Sequence, residues 1–132
     1  MLINKALLDD LSARAKESPR LRMNYDLRNT PDDLSQRQLN ALEPGTVIPI
    51  HRHNSTSETI VVLRGKLLWK HYNDNSEIID SFLLQAGSDA CGITSPKGQW
   101  HSLDCLESGT VIMEMKDGAW APLADDEIRE KS

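Results

Sequence analysis

Residues 45–65 read GTVIPIHRHNSTSETIVVLRG, and this segment indicates both the type of fold and the residues that could bind a metal. His51 and His53 are two positions apart, so on a strand both side chains point to the same face. Glu58 follows a polar turn and begins the next apolar run, where its carboxylate can turn back toward the two imidazoles. Two histidines and one carboxylate form the facial ligand set that leaves coordination positions open on a metal ion.

A third imidazole follows a second turn. Residues 96–101 read PKGQWH, which places His101 at the start of a strand just after a Pro-Gly turn. We therefore expect one divalent transition metal, bound by His51, His53, Glu58 and His101. Three nitrogen donors and one oxygen donor suit Fe(II), Mn(II), Ni(II) or Zn(II), and the spacing does not separate these metals.

Short runs that alternate apolar and polar residues occupy the chain from residue 37 onward, separated by Gly, Pro, Asn and Asp. The predicted strands are 37–43, 46–52, 58–64, 66–72, 77–84, 89–94, 100–106 and 109–116. Short strands separated by such turn-forming residues predict an all-β sandwich or jelly roll.

The flanking segments have a different character. Residues 3–17 carry an apolar stripe at helical spacing, and Ser18-Pro19 ends it. Residues 20–27 alternate like a strand, and residues 125–131 are charged and predict a short helix. We expect one domain, built from an N-terminal helix and extension (1–36), a barrel (37–118) and a C-terminal tail (119–132).

Composition excludes several classes of function. The 132 residues carry a net charge of −5 and no basic stripe, which argues against nucleic-acid and anionic-membrane surfaces. The longest apolar run, Thr59–Leu63, is far too short to span a membrane. The two cysteines, Cys91 and Cys105, form no metal or redox pair, and the N-terminus does not resemble a secretory signal. We therefore expect a cytoplasmic protein whose partner is a small-molecule ligand.

The spacing of these residues resembles the two motifs of the cupin superfamily. The first motif, G-x5-H-x-H-x4-E-x6-G, is met from Gly45 to Gly65 at every fixed position. The second motif, G-x5-P-x-G-x2-H-x3-N, is met at Pro96, Gly98 and His101, while Ala90 replaces its glycine and Cys105 its asparagine. The resemblance covers roughly residues 38–116 and implies a jelly-roll barrel that holds one metal. It also implies a homodimer.

A narrower resemblance is to the WbuC-type cupin-fold metalloproteins, small bacterial proteins associated with surface-polysaccharide biosynthesis. It rests on residues 18–25 (SPRLRMNY), on residues 36–40 (QRQLN) before Pro44-Gly45, and on residues 51–53 (HRH). This resemblance implies a metal-binding cupin in a sugar-related context. It does not imply a particular reaction.

Further candidates for the site are less specific. His71 and Tyr25 are candidate acid–base groups, although a histidine near a strand end with a local hydrogen bond is the plainer interpretation of His71. Cys105 shares the strand parity of His101 and could face the interior, either near the metal or as a buried inert thiol. Arg22, Arg37 and Gln38 could bind a phosphate, a carboxylate or sugar hydroxyls, or lie on a solvated or dimer-facing strand.

Three hypotheses for function follow. The first is a metal-dependent enzyme that acts on a small polar, sugar-like metabolite by isomerase-type or oxygenase-type chemistry. The second is a non-catalytic binding or sensor module in which the metal anchors a ligand. The third is a metal-free sugar epimerase that uses a histidine–tyrosine acid–base pair.

Overall fold

The computed structural model describes residues 1–129 and consists mainly of short antiparallel strands. The helix α1 comprises Lys5–Glu17, and a single 3₁₀ turn comprises Asp125–Glu127. The strands are β1 (Arg22–Asp26), β2 (Gln36–Leu42), β3 (Ile50–His51), β4 (Glu58–Arg64), β5 (Lys66–Tyr72), β6 (Ile78–Gln85), β7 (Gly92–Ser95), β8 (Trp100–Cys105), β9 (Thr110–Lys116) and β10 (Ile128–Arg129).

The strands form two five-stranded sheets. The first has the order β1-β2-β9-β4-β7 and the second the order β10-β3-β8-β5-β6, with antiparallel pairing throughout. Strands distant in sequence are neighbours in both sheets, as in a jelly roll. The predicted all-β jelly roll is therefore confirmed, although the described strands form two separate sheets and not a continuously closed barrel.

The helix α1 covers the outer face of the first sheet. Asn4 caps its N-terminus by accepting a hydrogen bond from the Leu7 amide at 3.0 Å. The helix stops before Pro19, which disfavours helical geometry in the preceding residue. Leu11 and Ala15 are fully buried against β2 and β9, in a cluster with Leu39, Ala41 and Val111.

The opposite, inner face of this sheet meets the second sheet across the main core. Buried residues from both sheets contribute to it: Leu42, Ile48, Ile60, Val62, Leu67, Trp69, Leu84, Leu103, Cys105 and Ile112. This core fills one end of the space between the sheets. At the other end the inner-facing side chains are polar, and the candidate site lies there.

The β4–β5 turn requires Gly65. Its φ of +88° is a conformation that favours glycine, and a Cβ atom there would lie 2.7 Å from the Cα of Thr110. The hydroxyl of Thr110 also accepts a hydrogen bond from the Lys66 amide at 3.1 Å. The last glycine of the first sequence motif thus allows β9 to approach this turn closely.

Two strands differ from the predicted ranges by three or more residues at one end. The predicted strand 46–52 is reduced to Ile50–His51, since Pro49 has no N–H to donate and the Arg52 amide bonds instead to Glu127 at 2.9 Å. The predicted strand 89–94 begins later, at Gly92, because the backbone still turns at Ala90, whose carbonyl accepts from the Gln85 amide.

The predicted helix over residues 125–131 is wrong in the part that the structure describes. Only the turn Asp125–Glu127 is helical, and Ile128 and Arg129 form β10 beside β3. The Glu127 carboxylate accepts from the Ala124 amide, which caps the start of the turn, and from the Asn54 amide, which ties the tail to the loop after β3. Residues 130 and 131 lie outside the described part of the chain.

Candidate metal centre

His51 and His101 are held in the same way on neighbouring strands. Their Cα atoms are directly opposite each other in the β3–β8 pair. Each ring uses its Nδ1 to contact the carbonyl two residues earlier, His51 to Pro49 and His101 to Gln99, both at 2.9 Å. An Nδ1–H that donates to a carbonyl fixes the ring orientation and directs Nε2 toward the centre, where the Nε2 lone pair of His51 is free to bind a metal.

His53 completes a group of three imidazoles. One donor atom from each ring of His51, His53 and His101 lies within 4.8 Å of the others. The Nε2 atom of His53 is buried and has no hydrogen-bond partner among the described residues. A buried polar atom without a partner is costly. A metal ion among the three rings would bind this atom.

Glu58 lies against two of these rings. It is 5% exposed, and its Oε1 is 3.1 Å from His101 Nε2 while its Oε2 is 3.7 Å from His53 Nε2. The Lys116 ammonium is 3.4 Å from Oε2. The four predicted ligands are thus adjacent to one another, and the donor set of three imidazoles and a carboxylate suits a divalent transition metal.

The protonation states of the three histidines and Glu58 are also consistent with metal binding. Burial, with the nearby His101, lowers the pKa of His51 to about 4, and burial also lowers the pKa of His53 to about 4. Burial opposes ionisation of Glu58, but the hydrogen bond with His101 and the positive charges of His101 and Lys116 together outweigh it and lower the pKa of Glu58 to about 2. The same contact raises the pKa of His101 against the effect of burial. Two neutral imidazoles and an ionised carboxylate therefore face the centre at neutral pH.

The group opens into a cavity of about 540 Å³ between the sheets. One wall carries the histidines, and the facing wall is formed by polar side chains of β1, β2 and β9. Residues 119–123 and Glu127 of the tail line the remaining side. The tail therefore limits solvent access to the imidazoles.

The structure does not bring the two acid–base candidates to this cavity. Tyr25 packs against the helix cluster on the outer face of the first sheet. His71 is on β5, where its Nδ1 is 3.7 Å from Asp80, and neither Tyr25 nor His71 lines the cavity. The plainer interpretation of His71, a strand histidine with a local partner, matches this position.

The substrate-binding candidates divide into two groups. Arg22 and Gln38 line the cavity. Arg37 is directed away, toward Asp33 at 3.2 Å and the Ser35 carbonyl at 2.9 Å. The Cys105 thiol contacts the carbonyls of Leu42 and Glu107 in the core, and burial raises its pKa, which disfavours the thiolate that a metal would bind.

Sequence reasoning missed two charged residues of β9 that line the cavity, Glu114 and Lys116. Both alternate with Met113 and Met115, so a polar set on the inward parity of a strand was the available signal. The sequence alone does not reveal which parity of β9 points inward, because that is set by the pairing of β9 with β2 and β4.

Solved structures with the same architecture are cupin-fold proteins. KdgF from Halomonas sp. aligns with a TM-score of 0.63 at 16% identity, covering 78% of this chain and 84% of that one. The capsular polysaccharide assembling protein CapF from Staphylococcus aureus aligns with a TM-score of 0.66 at 22% identity, covering 80% and 30%. A mutant of the Bacillus subtilis oxalate decarboxylase OxdC aligns with a TM-score of 0.59 at 16% identity, covering 83% and 27%. The chain therefore has the cupin fold.

The extent of these matches differs. The chain spans most of KdgF but less than a third of CapF and of the decarboxylase. At these identities the matches establish the fold alone. No curated protein matches the sequence.

A family model matches residues 3–84, which is more than half of the chain. The protein belongs to that family, which is described as a domain of unknown function, DUF6016. None of the helices among residues 1–129 combines the length and apolar character needed to cross a membrane.

Proposed function

We propose that this cupin is a metal-dependent enzyme that acts on a small polar, sugar-like metabolite. One divalent metal is held by His51, His53, Glu58 and His101, and the substrate occupies the adjoining cavity. The observation that carries the proposal is the meeting of three imidazole donors within 4.8 Å beside a buried, ionised carboxylate. A metal in this set supplies Lewis-acid polarisation of a carbonyl or hydroxyl oxygen, or redox chemistry with O2 if it is iron.

The protein's own residues orient and shield the site. The carbonyls of Pro49 and Gln99 fix the ring orientations of His51 and His101. The indole of Trp69 stacks almost parallel to the His101 ring, with 5.8 Å between centroids and 16° between planes. Both contacts reduce the reorganisation that binding a metal or substrate requires. Isomerase-type and oxygenase-type reactions both fit such a site.

A role in surface-polysaccharide metabolism is a finer proposal. Its first support is the WbuC-type pattern in residues 18–25, 36–40 and 51–53. Its second support is the likeness in fold to CapF, whose name describes capsular polysaccharide assembly.

We also propose a cytoplasmic homodimer with the predicted division into extension (1–36), barrel (37–118) and tail (119–132). Both cysteines are unpaired, which is usual in a reducing compartment.

The edge strand β6 exposes Ile78, Ile79, Phe82 and Leu83, each about half exposed, and a second copy would cover them. Light scattering of the wild type and of Phe82→Asp tests this: a dimer that the substitution dissociates supports the interface, and a monomeric wild type contradicts it.

Turnover assays test the enzyme hypothesis. Metal-loaded protein is incubated with sugars, sugar nucleotides and keto acids, with and without O2. We expect activity that His51→Ala abolishes and that His71→Ala, a histidine control outside the cavity, leaves unchanged.

The alternatives give different results in the same assay. Metal-loaded protein that binds a ligand but converts none of the compounds would indicate the binding or sensor module. Undiminished activity in metal-free protein would indicate the metal-free epimerase. The metal-free epimerase hypothesis needs a histidine and a tyrosine in one cavity, but Tyr25 lies on the outer face of the first sheet, away from the histidines.

A further inference from the structure

The cavity wall opposite the histidines carries an unusual set of polar side chains. On the inner face of the first sheet they include Arg22, Gln38, Asn40, Glu114 and Lys116, and Arg20 lines the cavity from the turn before β1. Across β1, β2 and β9 the register places Asn40 beside Ile112 and Gln38 beside Glu114. A sheet face turned toward a core is normally apolar, so this wall is built for a polar occupant.

Two arginines on this wall have no counter-ion. Within residues 1–129 the guanidinium groups of Arg20 and Arg22 make no ion pair and no hydrogen bond. Arg22 is partly buried, and the charge of Glu114 reaches it only from beyond ion-pair distance. Burial and the positive charge of Arg20 lower the pKa of Arg22. A desolvated cation of this kind is stabilised when an anion binds it.

Asn40 presents an unused acceptor on the same wall. Its Nδ2 donates to Glu114 Oε1 at 2.8 Å, which fixes the orientation of the amide. Its Oδ1 is buried without a partner among the described residues, and the residue is only 7% exposed. A hydroxyl group of a ligand in the cavity would donate the missing hydrogen bond.

The overall charge of the cavity also favours an anion. Three cations, Arg20, Arg22 and Lys116, share it with three carboxylates, Glu58, Glu114 and Glu127. A divalent metal at the histidines would therefore leave two positive charges in excess. Electrostatic complementarity predicts an anionic ligand for such a site.

We propose that Arg22, with Arg20 beside it, and Asn40 form a subsite for a small hydroxycarboxylate. The carboxylate pairs with Arg22, and a hydroxyl donates to Asn40 Oδ1. This inference rests on the proposed metal site for the excess charge, and it assigns the substrate class of that site. The cavity of about 540 Å³ suits a ligand of this size.

A carboxylate fits this wall better than a phosphate. Phosphate sites commonly use backbone N–H groups at a helix N-terminus. Here the wall consists of strands whose backbone groups pair with one another, and the helix α1 is on the outer face of the sheet. The planar guanidinium of Arg22 is the donor group that matches a carboxylate.

Isothermal titration calorimetry with matched probes tests the inference. D-Gluconate and D-sorbitol share their hydroxyl groups and differ in the carboxylate, and hexanoate keeps the carboxylate without the hydroxyls. With protein loaded with Mn²⁺, we expect gluconate to bind at least about tenfold more tightly than either other probe. Arg22→Gln should weaken gluconate binding by at least about tenfold. Arg14→Gln, an exposed arginine on the helix α1, should leave it unchanged.

Other results would overturn the inference. These are equal binding of gluconate and sorbitol, gluconate binding that Arg22→Gln does not weaken, or inorganic phosphate that binds more tightly than gluconate. Arg22→Lys, which keeps the charge but not the planar group, serves if Arg22→Gln does not fold; it too should weaken gluconate binding.

Metal content and a titration of metal-free protein separate this inference from the proposed function. Arg22-dependent gluconate binding in a protein that takes up no metal would support the subsite and contradict the metal enzyme. Stoichiometric metal without gluconate binding would contradict only the subsite.

Discussion

His51 and His53 show how burial prepares a side chain for metal binding. An exposed histidine is partly protonated near neutral pH, and a protonated ring has no lone pair to offer. Burial lowers the pKa of both rings to about 4, so each is neutral at pH 7. Glu58 is ionised beside them because His101 and Lys116 supply positive charge. His51, His53 and Glu58 are therefore deprotonated before a metal arrives, and the proton that His101 shares with Glu58 leaves when a metal binds.

The lowered histidine pKa values predict an acid-sensitive metal-free protein. Between pH 6.5 and about 4 the unfolded chain protonates these histidines and the folded protein does not, so the free energy of unfolding falls as pH decreases through this range. His51 alone accounts for up to about 3 kcal/mol. The raised pKa of His101 acts above pH 6.5 and the lowered pKa of Glu58 below 4.5, so neither dominates this window.

Urea unfolding of metal-free protein at pH 7, 6 and 5 measures this effect. His51→Gln should show a shallower loss of stability with falling pH than the wild type. Equal slopes in the two proteins would contradict the assignment of a neutral, buried His51.

Gly65→Ala should destabilise the protein by roughly 2–4 kcal/mol. The substitution places a Cβ 2.7 Å from the Thr110 Cα and forces alanine to a φ of +88°. Gly109→Ala is the matched control, with a φ of +83° but open space around the new Cβ, and it should cost only about 1 kcal/mol. Equal midpoint shifts for the two variants in urea unfolding would refute the close approach of β9.

His51, His53 and Glu58 could be predicted as ligands from the sequence because they lie within eight residues of one another, on a strand and the turn that follows it. Their relative geometry is therefore set locally. Strand alternation also separates Arg22 from Tyr25, which differ in parity within the predicted strand 20–27 and so could not face one cavity. Tyr25 accordingly lies on the helix side of β1. Glu114, by contrast, is assigned to the cavity by its pairing with distant strands.

At the scale of elements, the two faces of the first sheet have different surroundings: the outer face packs against the helix α1, and the inner face lines the cavity. Successive residues of β2 alternate between the helix side, with Leu39 and Ala41, and the inner side, with Gln38 and Asn40. The helix α1 therefore stabilises the strands that form the polar cavity wall, without contributing to the wall itself.

This separation makes Leu11→Ala a clean test of the role of the helix. Leu11 is fully buried, and its truncation should cost about 2–4 kcal/mol in thermal or urea unfolding. The folded variant should bind metal in the same stoichiometry as the wild type. Leu2→Ala, at a side chain that is 78% exposed, should change neither property. Loss of metal from folded Leu11→Ala would show that the helix does shape the site.

The C-terminal tail (119–132) shows why the type of some elements cannot be predicted from the sequence alone. Charge and propensity favoured a helix over 125–131, but Ile128 and Arg129 pair with β3 instead. Arg129 and Arg52 both lie over the Trp100 ring, with guanidinium carbons 3.9 and 4.4 Å from its centroid. These contacts join residues more than twenty positions apart, and tertiary contacts of this kind override a weak helical preference.

At the scale of the whole molecule, the candidate metal centre joins the two sheets. His51 and His101 lie on β3 and β8 of the second sheet, and Glu58 begins β4 of the first. A metal bound by all of them would bridge the sheets at the polar end of the space between them, where the apolar core is absent. Metal binding should therefore raise the stability of the entire fold.

The most direct test is the metal content of purified protein, measured by elemental analysis together with its melting temperature before and after chelation. We predict about one transition-metal ion per wild-type chain and a melting temperature that falls on chelation and recovers when the metal is restored. His51→Ala/His101→Ala should contain no stoichiometric metal and should not respond to chelation. A wild-type protein without metal that gains no stability from Fe²⁺, Mn²⁺, Ni²⁺ or Zn²⁺, or a double variant that retains its metal, would contradict the assignment of this site.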